Sequence, residues 1–234
     1  MTLWNSLTSS PVFGVVVTLG VYQLTVLVAR RARGRAYANP VLWSCVLLVA
    51  MLGLTRTPVE DYARGGDLIA FFLGPATVAL ALPLHRQLDR VKEAVIPIVA
   101  ASVFGASAAV LVAGWVTRAL GGGNALVASM LPKSATTPVA LAVSETIGGI
   151  PALTAALVIL TGVLGAVAGP GLLRLIRIRS EIAGGLAMGI SAHGIGTARA
   201  LGESQLMGAF SALAMALSAV VTPIVVALLL PVLV

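Results

Sequence analysis

Leu206–Val234 is an apolar run of about 29 residues, longer than the roughly 20 that a helix needs to cross about 30 Å of hydrocarbon. Comparable runs lie at Pro11–Ala29, Leu68–Leu84, Ala94–Val116 and Ala152–Leu173, with a shorter one of about 14 residues at Val41–Leu54. Of the 234 residues, 59% are hydrophobic and 10% are charged, where a soluble domain carries about 25% charged residues. Such a chain cannot cover itself with polar surface in water. A cytosolic enzyme, a secreted domain, a disordered tail and a fibre are excluded, and the bilayer is the expected solvent. The expected fold is an all-α polytopic membrane helix bundle. With 25 glycines and only 5% aromatic residues, its helices can approach closely.

The balance of 15 Lys+Arg against 8 Asp+Glu does not point to nucleic acid. The basic residues fall in short breaks between apolar runs, where they act as topology signals. Cys45 is the single cysteine, so an intrachain disulfide and a thiolate metal cluster are excluded. Pro75 and Pro83 lie near the ends of the third run, and Pro223 is expected to tilt or break the last one.

Two segments resist a simple span count. Asn124–Gly149 contains Pro132, Lys133, Pro138 and Glu145; Gly184–Glu203 contains His193, Gly194, Gly196 and Arg199. Basic loops occur at Arg30–Arg35, at Arg86, Arg90 and Lys92, and at Arg174, Arg177 and Arg179. Placing all three in the cytoplasm requires 124–149 to dip into the membrane from outside and return, and 184–203 to dip from inside and return. The expectation is therefore about six full spans plus two oppositely oriented re-entrant or broken hairpins. Both termini then lie outside. The chain reads as one membrane domain: scaffold helices over 10–92, a core over 93–206, and a C-terminal helix over 206–234. The core divides into a possible inverted repeat, 93–148 and 151–206, offset by about 58 residues, which aligns Glu145 with Glu203 and Lys133 with Ser191.

Lys133 is the most informative residue. A charge deep in the bilayer costs at least about 2.5–3.5 kcal/mol, so it either snorkels to the interface or serves as an anion-binding ammonium. Ser134, Thr136 and Thr137 add hydroxyls beside it, available either to an anion or to helix capping. Pro138 can start a second half-helix whose free N–H groups point into the site. His193 and Thr197 lie in the second broken segment; the histidine is either a structural hydrogen-bonding group or a proton carrier. Arg199 is either a carboxylate ligand or an interface anchor. Glu145 and Glu203 are proton-coupling groups, ion partners of Lys133 and Arg199, or interfacial. Asn124 is a candidate cap. No metal-ligand spacing, nucleophile elbow or phosphate loop occurs, so neither an enzyme nor a bound cofactor is expected.

Three blocks carry a family resemblance: Leu131–Pro138, Ile147–Ala152, and Gly185–Gly189 continuing through Ser191-Ala192-His193 and Gly196-Thr197-Ala198. Together they resemble the LrgB/CidB family of antiholin-like membrane proteins, also described as murein hydrolase export regulators, from about residue 10 to 230. A departure occurs at Ala135, where a bulkier β-branched residue is expected. The family includes a plastid glycolate/glycerate translocator. The resemblance implies a proton-coupled carrier of small monocarboxylates such as glycolate, glycerate or pyruvate, or an antiholin-like regulator of lysis that is not a carrier. It also implies a small holin-like partner of the LrgA/CidA type. A homodimer through the early helices is a further expectation. With no Arg- and Ser-rich transit segment before the first run, the expected location is a bacterial inner membrane.

Overall fold

The computed structural model describes residues 8, 10–31, 39–72, 75, 78–79 and 81–234. Arg33 and Arg35 of the first basic loop lie outside the described residues, as do 73–74, 76–77 and 80 of the run Leu68–Leu84. Every regular element among the described residues is helical. The chain forms two compact units, Met1–Ala79 and Leu80–Val234.

In the first unit, α1 covers Pro11–Arg31, α2 Pro40–Thr55 and α3 Val59–Phe71. Helix α2 starts where Asn39 accepts a 3.0 Å hydrogen bond from the Leu42 N–H and Pro40 presets the first turn. It ends at Arg56, in the left-handed region with φ 52. Gly14 and Gly65 let α1 and α3 touch backbone to backbone: a Cβ on Gly14 would lie 2.6 Å from the Tyr62 carbonyl oxygen and 2.9 Å from the Gly65 Cα. The Thr18 and Tyr62 hydroxyls meet at 2.6 Å, and those of Thr25 and Ser44 at 2.8 Å. Two expectations are corrected here. Residues 59–67, which lie between the apolar runs Val41–Leu54 and Leu68–Leu84 and so fall outside any expected span, are helical, with Glu60 and Asp61 in the first turn, where the helix dipole favours acidic side chains. The run Leu68–Leu84 is not one continuous helix, since α3 closes at Phe71 with Phe72 as its C-cap.

The second unit contains α4 Ala81–His85, α5 Leu88–Glu93, α6 Val95–Ala119, α7 Asn124–Met130, α8 Thr137–Thr146, α9 Pro151–Leu175, α10 Glu181–Glu203 and α11 Gln205–Leu233. Among the described helices, α1, α6, α9 and α11 are the four long and apolar enough to cross a membrane; α2, with 16 residues, is shorter. This supports a multi-pass all-α membrane bundle, with four of the expected six or so spans present as full-length helices among the described residues. The expected break at Pro223 does not occur, because α11 runs through Pro223 and Pro231 and α9 runs through Pro170. Membrane helices tolerate proline where neighbouring helices and hydroxyls meet the freed backbone groups. Buried Ser218 and Thr222 hydrogen bond each other at 3.2 Å in the turn before Pro223.

Helices α6 and α11 run in the same direction. At one end the Arg118 guanidinium donates to the Leu233 and Val234 carbonyls at 2.9 and 2.7 Å. At the other end Ile98 packs against Leu186 and Phe210.

Both irregular segments double back. In the first, α7 descends, the chain turns through Leu131–Thr136, and α8 returns. The Ile150 N–H donates to Ser129 Oγ at 2.8 Å, so the exit lies beside the end of α7. Thr154 Oγ1 fastens this base, 2.6 Å from Ser144 Oγ and 3.2 Å from the Ser129 carbonyl oxygen. In the second, α10 reverses at His193, whose φ of 40 and ψ of −133 are not helical. Its first leg climbs α11, with Gly184 against Met207 and Gly194 against Met215; its second leg descends, with Thr197 3.0 Å from Ser211 and Leu201 against Gly208.

The hairpins approach α9 from opposite ends. The base of the first sits at Thr154, while the entering leg of the second faces Leu173 at Gly184 and Gly169 at Met188. Their turns meet near Val158, which packs with Ala135 and Ala140 and accepts a hydrogen bond from His193.

Candidate functional site

The meeting of the two turns joins a broken helix carrying a cation to a strained residue carrying an imidazole. Leu131 and Pro132 are buried, which anchors the first turn, and the Ala135 N–H closes it onto the Pro132 carbonyl at 2.9 Å. Lys133 is half-buried between these fixed points, its Nζ 3.5 Å from the Ser134 Oγ of a buried serine. Among the described residues it forms no ion pair. Thr136 is the extended N-cap of α8 and its side chain makes no cap bond; Pro138 stands in the first turn, where the sequence placed it. Thr136 and Thr137 are half-buried. The start of α8 thus directs its dipole toward the turn that carries Lys133.

His193 is 5% exposed. Its Nε2 lies 2.9 Å from the Val158 carbonyl oxygen, which can only accept, so Nε2 carries the hydrogen and Nδ1 is the nitrogen left to exchange a proton. The ring lies over Gly162, where a Cβ would sit 2.6 Å from Cε1. Glycine at that position is what lets the turn reach α9. Positive φ outside glycine is costly and persists only where surrounding contacts impose it. The ring bond and the Thr197 hydroxyl, which donates to the His193 carbonyl at 2.9 Å, are such contacts.

The structure brings Lys133, Ser134, Thr136, Thr137 and His193 to the meeting turns. Thr197 is one turn away and its hydroxyl is committed to His193 and Ser211. Arg199 and Glu203 lie at the base of the second hairpin, paired with each other at 2.5 Å. Glu145 is exposed near the exit of the first hairpin. Asn124 does not cap α7; Gly123 holds that position and the Asn124 Oδ1 accepts from Arg118 at 2.7 Å. Ala135 is buried against Val158 and Ala140, so the small residue fits a close contact and does not loosen the turn.

Sequence reasoning missed Val158, Gly162 and the Ser129, Ser144 and Thr154 hydroxyls. Val158 acts through its backbone, which leaves no side-chain signal. Gly162 is one glycine among 25. The hydroxyls come from three separate segments and gain meaning only when the chain folds back. Among the described residues, no three His, Cys, Asp or Glu side chains gather as metal ligands.

A family model described as the LrgB-like family matches residues 18–232. The antiholin-like protein LrgB of Bacillus cereus (strain B4264) is 37% identical over 224 residues, covering 96% of this chain and 97% of the relative. The antiholin-like protein LrgB of Bacillus anthracis (strain CDC 684 / NRRL 3495) matches to the same extent. No solved structure matches. The chain is a multi-pass membrane protein that belongs to the LrgB-like family.

Proposed function

We propose that the chain acts as an antiholin-like membrane protein that restrains lysis together with a small holin-like partner. The name shared by relatives 37% identical over 96% of the chain supports this reading.

The geometry favours a second reading with more specific chemistry. In it the chain carries a small monocarboxylate of the glycolate, glycerate or pyruvate type. The single observation behind it is Lys133, a half-buried cation without an anion partner among the described residues, placed where two opposed hairpins meet. Broken helices converging near the midplane are a recurring transporter plan. The carboxylate would offset the ammonium, Ser134 and Thr136 would bond its oxygens, and Nδ1 of His193 would take the coupled proton. The helices that flank the hairpins, α6 with the first and α9 with the second, each have 25 residues, which favours an inverted repeat. Neither reading involves catalysis.

For sidedness, the end of the bundle where the second hairpin opens carries Arg174, Arg177 and Arg179, and Arg86, Arg90 and Lys92 precede α6 at the same end. The opposite end has Arg118 with Glu145. The positive-inside rule then puts the second hairpin's base in the cytoplasm and the C-terminus outside, in an inner membrane. Both hairpins become re-entrant.

Uptake of labelled glycolate and pyruvate into proteoliposomes holding this chain alone, with and without a pH gradient, separates the two readings. Saturable uptake that Lys133→Ala removes supports the carrier. No uptake by correctly inserted wild type, together with restraint of lysis when the chain is co-expressed with a holin-like protein, supports the antiholin.

A further inference from the structure

The bases of the two hairpins differ. The first is closed from within by the hydroxyls of Ser129, Ser144 and Thr154, each 0% exposed. The second opens into a surface cleft of about 140 Å³. Arg174, Arg179, Glu181 and Glu203 contribute its charges, and Leu173 and Met207 are among its apolar lining. These charges do not cancel. Glu203 is taken up by Arg199. Glu181 lies in the first turn of α10, where the helix dipole offsets it. Arg174 and Arg179 form no ion pair among the described residues. Beside them, at the end of a membrane-crossing helix, Leu172, Leu175 and Ile176 expose 55%, 77% and 56% of their surface.

We propose that this cleft binds the phosphodiester headgroup of an anionic membrane phospholipid. Arg174 and Arg179 hold the phosphate, since guanidinium forks match its oxygens. The apolar lining and the exposed leucines at the helix end receive the acyl chains, which is why a lipid fits better than free phosphate. Basic pockets between helices at this level of a membrane suit such headgroups. The bound lipid bridges the end of α9, the entering leg and the returning leg. It closes the second base from outside, as the hydroxyl cluster closes the first from inside.

The test uses the purified full chain in neutral detergent, titrated with phosphatidylglycerol, phosphatidylcholine or inorganic phosphate. Native mass spectrometry reads bound lipid and thermal unfolding reads stabilisation. Phosphatidylglycerol is expected to bind and raise the unfolding temperature, and phosphatidylcholine to bind about fivefold more weakly or less. Arg174→Gln and Arg179→Gln are each expected to weaken phosphatidylglycerol binding about fivefold. Arg177→Gln removes the same charge from a residue that does not line the cleft and should leave binding unchanged. Arg174→Lys and Arg179→Lys keep the charge and should fall between wild type and the glutamine variants; they carry the test if a glutamine variant fails to fold. Three results overturn the proposal: an equal loss in Arg177→Gln, no loss in the cleft variants, or saturation by inorganic phosphate at the affinity of the lipid.

Discussion

The first hairpin turns over an extended break, Leu131–Thr136, that carries Lys133; the second turns at a single residue, His193, in a backbone conformation that L side chains rarely adopt. Their legs are also held differently. Hydroxyls cross-link the legs of the first to α9. Glycines seat the legs of the second against α11, with Gly184, Gly189 and Gly194 each facing a side chain or backbone of that helix. The second hairpin also carries directional bonds, Thr197 to Ser211 and His193 to Val158, and Gly185 and Gly189 approach the α11 backbone at Met207 and Ser211. The close packing thus relies on hydroxyls in the first hairpin and on glycines in the second.

Substitutions in each hairpin break or sharpen this contrast. The largest effect is expected at Lys133. Lys133→Ala should reduce carboxylate uptake by about tenfold to a hundredfold, the loss of one hydrogen bond to a charged group, while its unfolding temperature stays near wild type. Retained uptake in proteoliposomes would remove the charge from the mechanism.

Gly162→Ala comes next. Its Cβ would sit 2.6 Å from the His193 ring, and overpacking of this kind costs about 1–3 kcal/mol, read as a lowered unfolding midpoint. Gly171→Ala, on the same helix with open space around it, is the control and should not destabilise. His193 separates backbone strain from the ring bond. Both His193→Gly and His193→Ala lose the bond to Val158, but only glycine accepts a φ of 40 without cost. His193→Gly should therefore be more stable than His193→Ala by about 1 kcal/mol or more. Equal stability would mean that the turn relaxes.

Thr154→Val should cost about 1 kcal/mol, the usual size of an interhelical hydroxyl bond in a membrane protein, and should loosen hydrogen-exchange protection in the first hairpin but not the second. Arg199→Ala is expected to have the smallest effect. Its pair with Glu203 is partly exposed, so both uptake and stability should stay within about twofold and 1 kcal/mol.

Much of the fold is legible because bilayer chemistry leaves few options. Runs such as Ala94–Val116 and Ala152–Leu173 mark α6 and α9 within a few residues of Val95–Ala119 and Pro151–Leu175. The arginines at 174, 177 and 179 lead to the expectation that the proline- and glycine-broken segments return, and in the structure the chain reverses at His193 and between α7 and α8. What stayed hidden depends on three-dimensional proximity. Val158 uses a carbonyl, and Ser129 and Thr154 are ordinary hydroxyl residues until the chain brings them within 3.2 Å. The helix α3 was obscured by its charges, because hydropathy reads Glu60, Asp61 and Asp67 as loop although they suit one face of an amphipathic helix. Arg199 was legible in part: of the roles open to it and to Glu203, the structure shows the i,i+4 ion pair between them.

The central claim is that both broken segments enter and leave on the same side, from opposite faces. Cysteine accessibility in a Cys45→Ser background tests it most directly. A membrane-impermeant thiol reagent is applied to sealed right-side-out and inside-out vesicles carrying Leu120→Cys, Ile150→Cys, Ile176→Cys or Gly202→Cys. The account predicts that positions 120 and 150, flanking the first hairpin, react from one side of the membrane. Positions 176 and 202, flanking the second, should react from the other side only. Labelling of 120 and 150 from opposite sides, or of 176 and 202 from opposite sides, would show that the segment between them crosses the membrane and would contradict the account.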